Sequence, residues 1–134
     1  MLSGINPLLS GSLLHFLDEM GHSDSVVIAD AHFPSARLAT RFVDLPATSA
    51  TDVLIAVRSV LPLDDEAPLD LMAAPGGRLD IHSELIAAAR PEAGEPAFID
   101  RFEFYERAAT AFVIVRTGER RSYGNALLRK GIAT

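Results

Sequence analysis

"RFEFYERAATAFVIVRTGERRSYGNALLRKGI", residues 101 to 132, runs through helical and strand periodicity in one stretch. Phe102, Tyr105, Ala109 and Phe112 recur near helical spacing, which predicts a helix from about Phe102 to Thr110 with Glu106 and Arg107 on its wet face. "AFVIVRT" is an apolar β-branched run of strand length, "GERRSYG" a turn and "NALLRKGI" a final strand. The closing strands, joined by a short turn, are expected to run antiparallel. Both tyrosines of the chain, Asn125 and several Arg and Glu surround this one apolar strand, a density of polar groups that suggests a pocket.

Upstream, the same alternation recurs. A first helix starts at Ser10 or Ser12, carries an apolar stripe of Leu13, Leu14, Leu17 and Met20, and is expected to stop at a left-handed Gly21. "VVIAD" (26–30) is a strand ending in a carboxylate. "ATSATDVLIAVRSVLP" is a second helix, with Ser49 and Asp52 as its capping box and Val53, Leu54, Val57 and Leu61 as its buried face. "LDLMAA" (69–74) is a strand closed by the turn "PGG", and Ile81–Ala89 is a helix broken by Pro91 and Gly94. Strands alternating with helices predict an α/β fold around a mixed, mostly parallel sheet, and 134 residues suffice for one domain spanning 1–134.

Composition narrows the function classes. A net charge of −6 argues against a phosphate-binding surface, so nucleic acid is set aside as a partner. The chain has no Cys, which excludes disulfides and thiolate chemistry. No apolar run approaches the roughly 18 residues of a membrane span, and "MLSGINPLL" lacks the pattern of a signal peptide, so a cytoplasmic protein with no membrane partner is expected. A 49% hydrophobic content without such a run suggests strands buried on both faces and a subunit interface.

Motifs for the commoner chemistries are missing. "APGGRLD" lacks the Lys-Ser/Thr of a phosphate loop, and the four His show no metal-ligand spacing, so neither cofactor nor metal is expected. The remaining candidates sit at element ends. His22, past a helix C-terminus, is either a surface residue or a proton-transfer group favoured by the helix dipole. Asp30 ends a strand, where α/β sheets bind ligands, or it caps the "AHFPS" turn. His32 could line the same edge or be structural, while His15 and His82 are expected to face solvent. Tyr105 is a core-edge aromatic or a pocket donor, and "SYGN" is a turn whose Tyr composition does not explain.

Read together, "NPLLS", "MGHSDSVVIADAHFP", "LPLD", "RFEFYERAATAFVIVRTGE" and "YGNALLRKGI" resemble the ribose pyranase and fucose mutarotase family, in order and over nearly the whole chain. "DAHFP" and "RFEFYERA" are more similar to the fucose branch. The resemblance implies a three-layer α/β/α domain and an isomerase that interconverts anomers of a free aldose, such as L-fucose or another 6-deoxyhexose, without cofactor or metal. It implies His22 as proton donor, Asp30 and Arg101 as sugar contacts, and Tyr123, Gly124 and Asn125 of the "YGN" turn beside them. It also matches Asp64, Met72 and Tyr105 to substrate contacts. A ring-shaped homo-oligomer, commonly a decamer, is implied, with pockets near subunit boundaries. Two departures bear on which sugar is used: "RFVDLPATSATD" replaces the usual Ala-Asp-Gly, and residues 74–96 are shorter than in many relatives. A D-ribose pyranase and a non-catalytic sugar-binding transport accessory are the alternatives.

Overall fold

The computed structural model describes residues 1–134. Its elements are α1 (Gly11–Glu19), β1 (Ser25–Ala29), α2 (Ser35–Leu38), β2 (Phe42–Leu45), α3 (Ala50–Arg58), β3 (Leu69–Met72), α4 (Asp80–Ala89), β4 (Ala97–Ile99), α5 (Arg101–Ala109), β5 (Val113–Thr117) and β6 (Ala126–Arg129). The strands form one six-stranded sheet in the order β2-β5-β1-β6-β3-β4. Three of the five pairings are parallel, and β6 is antiparallel to both its neighbours, β1 and β3. Five strands therefore point one way and β6 alone points back.

Alternation along the strands builds two cores. Val26 and Ile28 join Leu13, Leu17, Val53, Leu54, Val57 and Leu85 on the face covered by α1, α3 and α4. Val27 and Ala29 turn to the opposite face and pack with Phe104, Ala108 and Phe33 under α5 and α2. The result is the expected three-layer α/β/α arrangement around a mixed, mostly parallel sheet.

Several local expectations change. β5 and β6 do run in opposite directions, but they form no hairpin, because β1 lies between them. The loop 118–125 must cross two strand spacings, about 9.6 Å, which its eight residues easily span. α1 starts at its Ser10 cap as read, yet no left-handed Gly21 ends it: Met20 is extended, and the positive φ falls on Ser23 at 71°. The last carbonyls of α1 are instead met by the Lys130 ammonium, which donates to Leu17 and Met20 at 2.7 Å each. α5 begins at Arg101, capped by Asp100, whose Oδ1 accepts from the Phe102 and Glu103 amides. Its dry face is Phe104 and Ala108, while Phe102 is 65% exposed.

Candidate functional site

The candidates divide between the two ends of the sheet. At the carboxyl ends of β1 and β3 lie Asp30, Met72, Tyr123, Gly124 and Asn125, with Arg101 and Tyr105 on the first turns of α5 after β4. At the opposite, amino end of β1 lie His22 and Asp64. Four residue steps of β1 alone put about 13 Å between the two groups. A single chain does not bring His22 to Asp30.

Asp30 is only 2% exposed because the chain closes around its carboxylate. Oδ1 accepts from the His32 and Phe33 amides at 2.9 Å, which turns the backbone out of β1. Oδ2 accepts from the Gly124 amide at 3.2 Å and from Asn125 Nδ2 at 3.1 Å, and Asn125 Oδ1 accepts from the Asp30 amide at 2.8 Å. Of the two readings of Asp30, its bonds describe the turn cap, and the same carboxylate fixes the "YGN" turn to the sheet edge. Asn125 Nδ2 also lies 3.8 Å from Met72 Sδ, tying Met72 to the same cluster.

Tyr123 adopts φ 64°, a left-handed conformation unusual for a residue with a Cβ. Its half-buried ring packs against the cluster that contains Phe33 and Phe104, and Tyr105 borders that cluster with its ring 5.4 Å from Phe33. Arg101 is exposed, stacks at 4.7 Å over the Phe102 ring and makes no ion pair. The carboxyl edge therefore offers two phenols, a free guanidinium and an aromatic wall around a locked Asp–Asn pair. That set suits the hydroxyls and apolar face of a small polyol.

At the amino edge, His22 is 56% exposed and its Nε2 lies 3.8 Å from Asp64 Oδ2, an ion-pair distance longer than a hydrogen bond. The Glu66 amide, donating to Asp64 Oδ1, holds this carboxyl below its ordinary range, and the Ser23 hydroxyl and the His22 charge add to the effect. Asp64 is an anion throughout the neutral range. It can orient the imidazole.

Two groups behave differently from their sequence reading. His82 does not face solvent but is fully buried: Nδ1 accepts from the Leu79 amide and Nε2 donates to the Met72 carbonyl, so it is the neutral Nε2–H tautomer. Arg107 is not a plain surface charge. Arg107 pairs with Glu103 and with the buried Asp70, which also holds Arg129. Arg121 joins Glu84 to Glu119 beside the "YGN" turn. Asp70 and Lys130 carry no signal in the sequence because each is an ordinary polar residue whose partners are distant along the chain. His32 remains exposed at the carboxyl edge, its Nε2 3.1 Å from the Arg120 carbonyl.

The chain resembles known proteins over nearly its whole length. Residues 3–133 match the family described as the RbsD / FucU transport protein family. A crystal structure of the fucose mutarotase from Streptococcus pneumoniae, in complex with L-fucose, is 30% identical, with a TM-score of 0.91 and coverage of 99% of this chain and 100% of that one. FucU from Bifidobacterium longum is 31% identical, with a TM-score of 0.87 over 97% of this chain and 100% of that one. RbsD of Bacillus subtilis, complexed with D-ribose, shares the fold at 22% identity and a TM-score of 0.79, covering all of both chains.

Proposed function

Because the chain belongs to the RbsD / FucU transport protein family, we propose that it is a mutarotase of a free aldose, L-fucose or a related 6-deoxyhexose. The observation that carries this reading is the likeness, at 30% identity over 99% of the chain, to a fucose mutarotase complexed with L-fucose. The weaker 22% identity to the D-ribose complex favours the fucose side.

The chemistry requires two proton movements. The anomeric hydroxyl loses its proton as the C1–O5 bond breaks, C1 becomes a carbonyl, and the ring oxygen takes up a proton. Rotation about C1–C2 and reversal of the same steps gives the other anomer. His22, oriented by anionic Asp64, gives and later recovers the ring-oxygen proton, and such a positioned acid contributes about 10²–10⁴-fold. Tyr123 or Tyr105 receives or relays the second proton. Arg101 and Asn125 hold sugar hydroxyls, while Asp30 contributes mainly by holding Asn125 and Gly124 in place.

A pocket that uses both groups must combine two copies. The exposed His22 edge of one subunit then meets the Asp30–Tyr123 edge of the next, a head-to-tail contact that generates a ring when its rotation closes. Exposed apolar residues at both ends support this: Val60 and Ile132 toward the amino edge, Phe98 and Phe102 toward the carboxyl edge. A ring-shaped homo-oligomer, possibly a decamer, is part of the proposal.

Exchange-sensitive proton NMR at the anomeric positions of L-fucose, D-galactose and D-ribose tests the activity. Faster exchange than in buffer is expected, greatest for L-fucose. Sugar binding without faster exchange would leave a binding accessory instead. Mixing subunits of His22→Ala with subunits of Tyr123→Phe, after dissociation and reassembly, tests the shared pocket. Random mixing should restore about a quarter of the sites. No recovery from two inactive parents would place each site within one subunit.

A further inference from the structure

The loop that carries Tyr123 is held in an unusual way. Tyr123 stands at φ 64°, and nothing in its own side chain favours that conformation. A left-handed tyrosine persists only where its surroundings over-determine it: Asp30 holds the Gly124 amide after it, and an ionic cluster holds the chain before it. Glu119, whose side chain is 7% exposed, accepts from Arg121 Nε at 3.0 Å and from the Arg121 amide at 3.3 Å. Its other oxygen accepts from the Ala50 amide, at 3.4 Å on the first turn of α3. Arg121 in turn forms a two-pronged pair with Glu84 of α4, at 2.5 and 3.1 Å. Thr51 of α3 closes the circuit by donating to Glu84 at 3.3 Å. The loop is thereby clamped to two helices immediately before Tyr123.

We propose that Glu119, acting through Arg121, is the positioning residue that sets Tyr123 in its left-handed conformation and so aims its phenol at the sugar. The inference rests on the mutarotase reading for its consequence, but its structural half can be read without any sugar. On the far side of Tyr123 the Gly124 amide donates to Asp30 Oδ2 at 3.2 Å, so the clamp is the constraint on the near side, where the chain enters the turn. Arg121 is driven well above its ordinary range by Glu84 first and Glu119 second, as a guanidinium held between two carboxylates should be.

The chain has only two tyrosines, so protein labelled with 3-fluorotyrosine gives two fluorine signals, and Tyr105→Phe assigns them. Two variants open the clamp from different sides: Glu119→Gln from within, and Glu84→Ala from the exposed end, where folding is not at stake. The expected result is a shifted or broadened Tyr123 signal with Tyr105 unchanged, together with a rise of about tenfold in KM for anomer exchange at little change in melting temperature. Asp44→Asn, which breaks the separate exposed pair with Arg116, should move neither signal and leave exchange as it was. An unmoved Tyr123 signal in both clamp variants overturns the inference, and so does a moved signal with unchanged exchange in a protein that is active. If the unmodified protein accelerates no sugar's exchange, the mutarotase reading fails by itself, and the fluorine signals alone then decide whether the clamp sets Tyr123.

Discussion

The two ends of the sheet are built on opposite principles. At the carboxyl edge, Asp30 and Asn125 spend their polar atoms on each other and on neighbouring amides, and both are 2% exposed. At the amino edge, His22 stands in solvent with one loose partner, Asp64, at 3.8 Å. A buried, fully bonded set costs much to disturb. An exposed imidazole with one loose partner is cheap to alter. The difference is one of rigidity: the carboxyl edge is held by a closed set of bonds, while the amino edge presents a loosely partnered imidazole.

That contrast can be broken by substitution. The largest effect is expected from His22→Ala: anomer exchange should fall about 10²–10⁴-fold, while stability stays within about 0.5 kcal/mol, as for an exposed side chain. Exchange NMR beside a thermal melt checks both halves, and a large loss of stability would show that His22 is structural. Next comes Asp30→Asn, which sets an amide donor against the Gly124 amide and the Asn125 Nδ2. It should cost about 3 kcal/mol, near 12 °C in melting temperature, measurable by calorimetry. A variant that melts like the parent would remove Asp30 from its structural role. The smallest effect concerns pH. Arg121 holds the Glu119 carboxyl below its ordinary value, so the unfolded chain binds more protons than the folded one as the medium is acidified. Glu119 thus stabilises the fold above the ordinary carboxylate range, and that contribution fades as pH falls through the lowered value. Denaturant melts from pH 7 to pH 3 should show a shallower acid decline for Glu119→Gln than for the parent.

The layers were legible in the sequence because period-two and period-3.6 patterns report directly on burial. Ser10 and Ser49 cap α1 and α3 as read, and Val53, Leu54, Val57 and Leu61 are buried. What escaped is whatever depends on partners far along the chain. "GERRSYG" looks like a hairpin turn, and nothing within it says that β1 will be inserted between the strands it joins. Gly21 looks like a helix stop because the true one, Lys130, lies 110 residues away from the Met20 carbonyl it meets. His82 has the composition of a surface residue, and only the Met72 carbonyl opposite it explains its burial. The short strands β2 and β4 carry half-exposed residues and too few positions for a pattern to register. For the candidate site, residue types were readable at the level of His22, Asp30 and the "YGN" turn. Their separation by the length of β1 was not, since it is a property of topology.

The placement of β6 governs how the molecule comes to exist. It is the last strand along the chain, yet it sits between β1 and β3 and supplies the sole connection between the three-strand half β2-β5-β1 and the pair β3-β4. A growing polypeptide that has emerged only through β5 holds two unjoined sheet fragments, each with an open apolar edge. Such a chain is prone to aggregate through those edges until β6 is in place. The sheet therefore closes in its middle, with the insertion of β6.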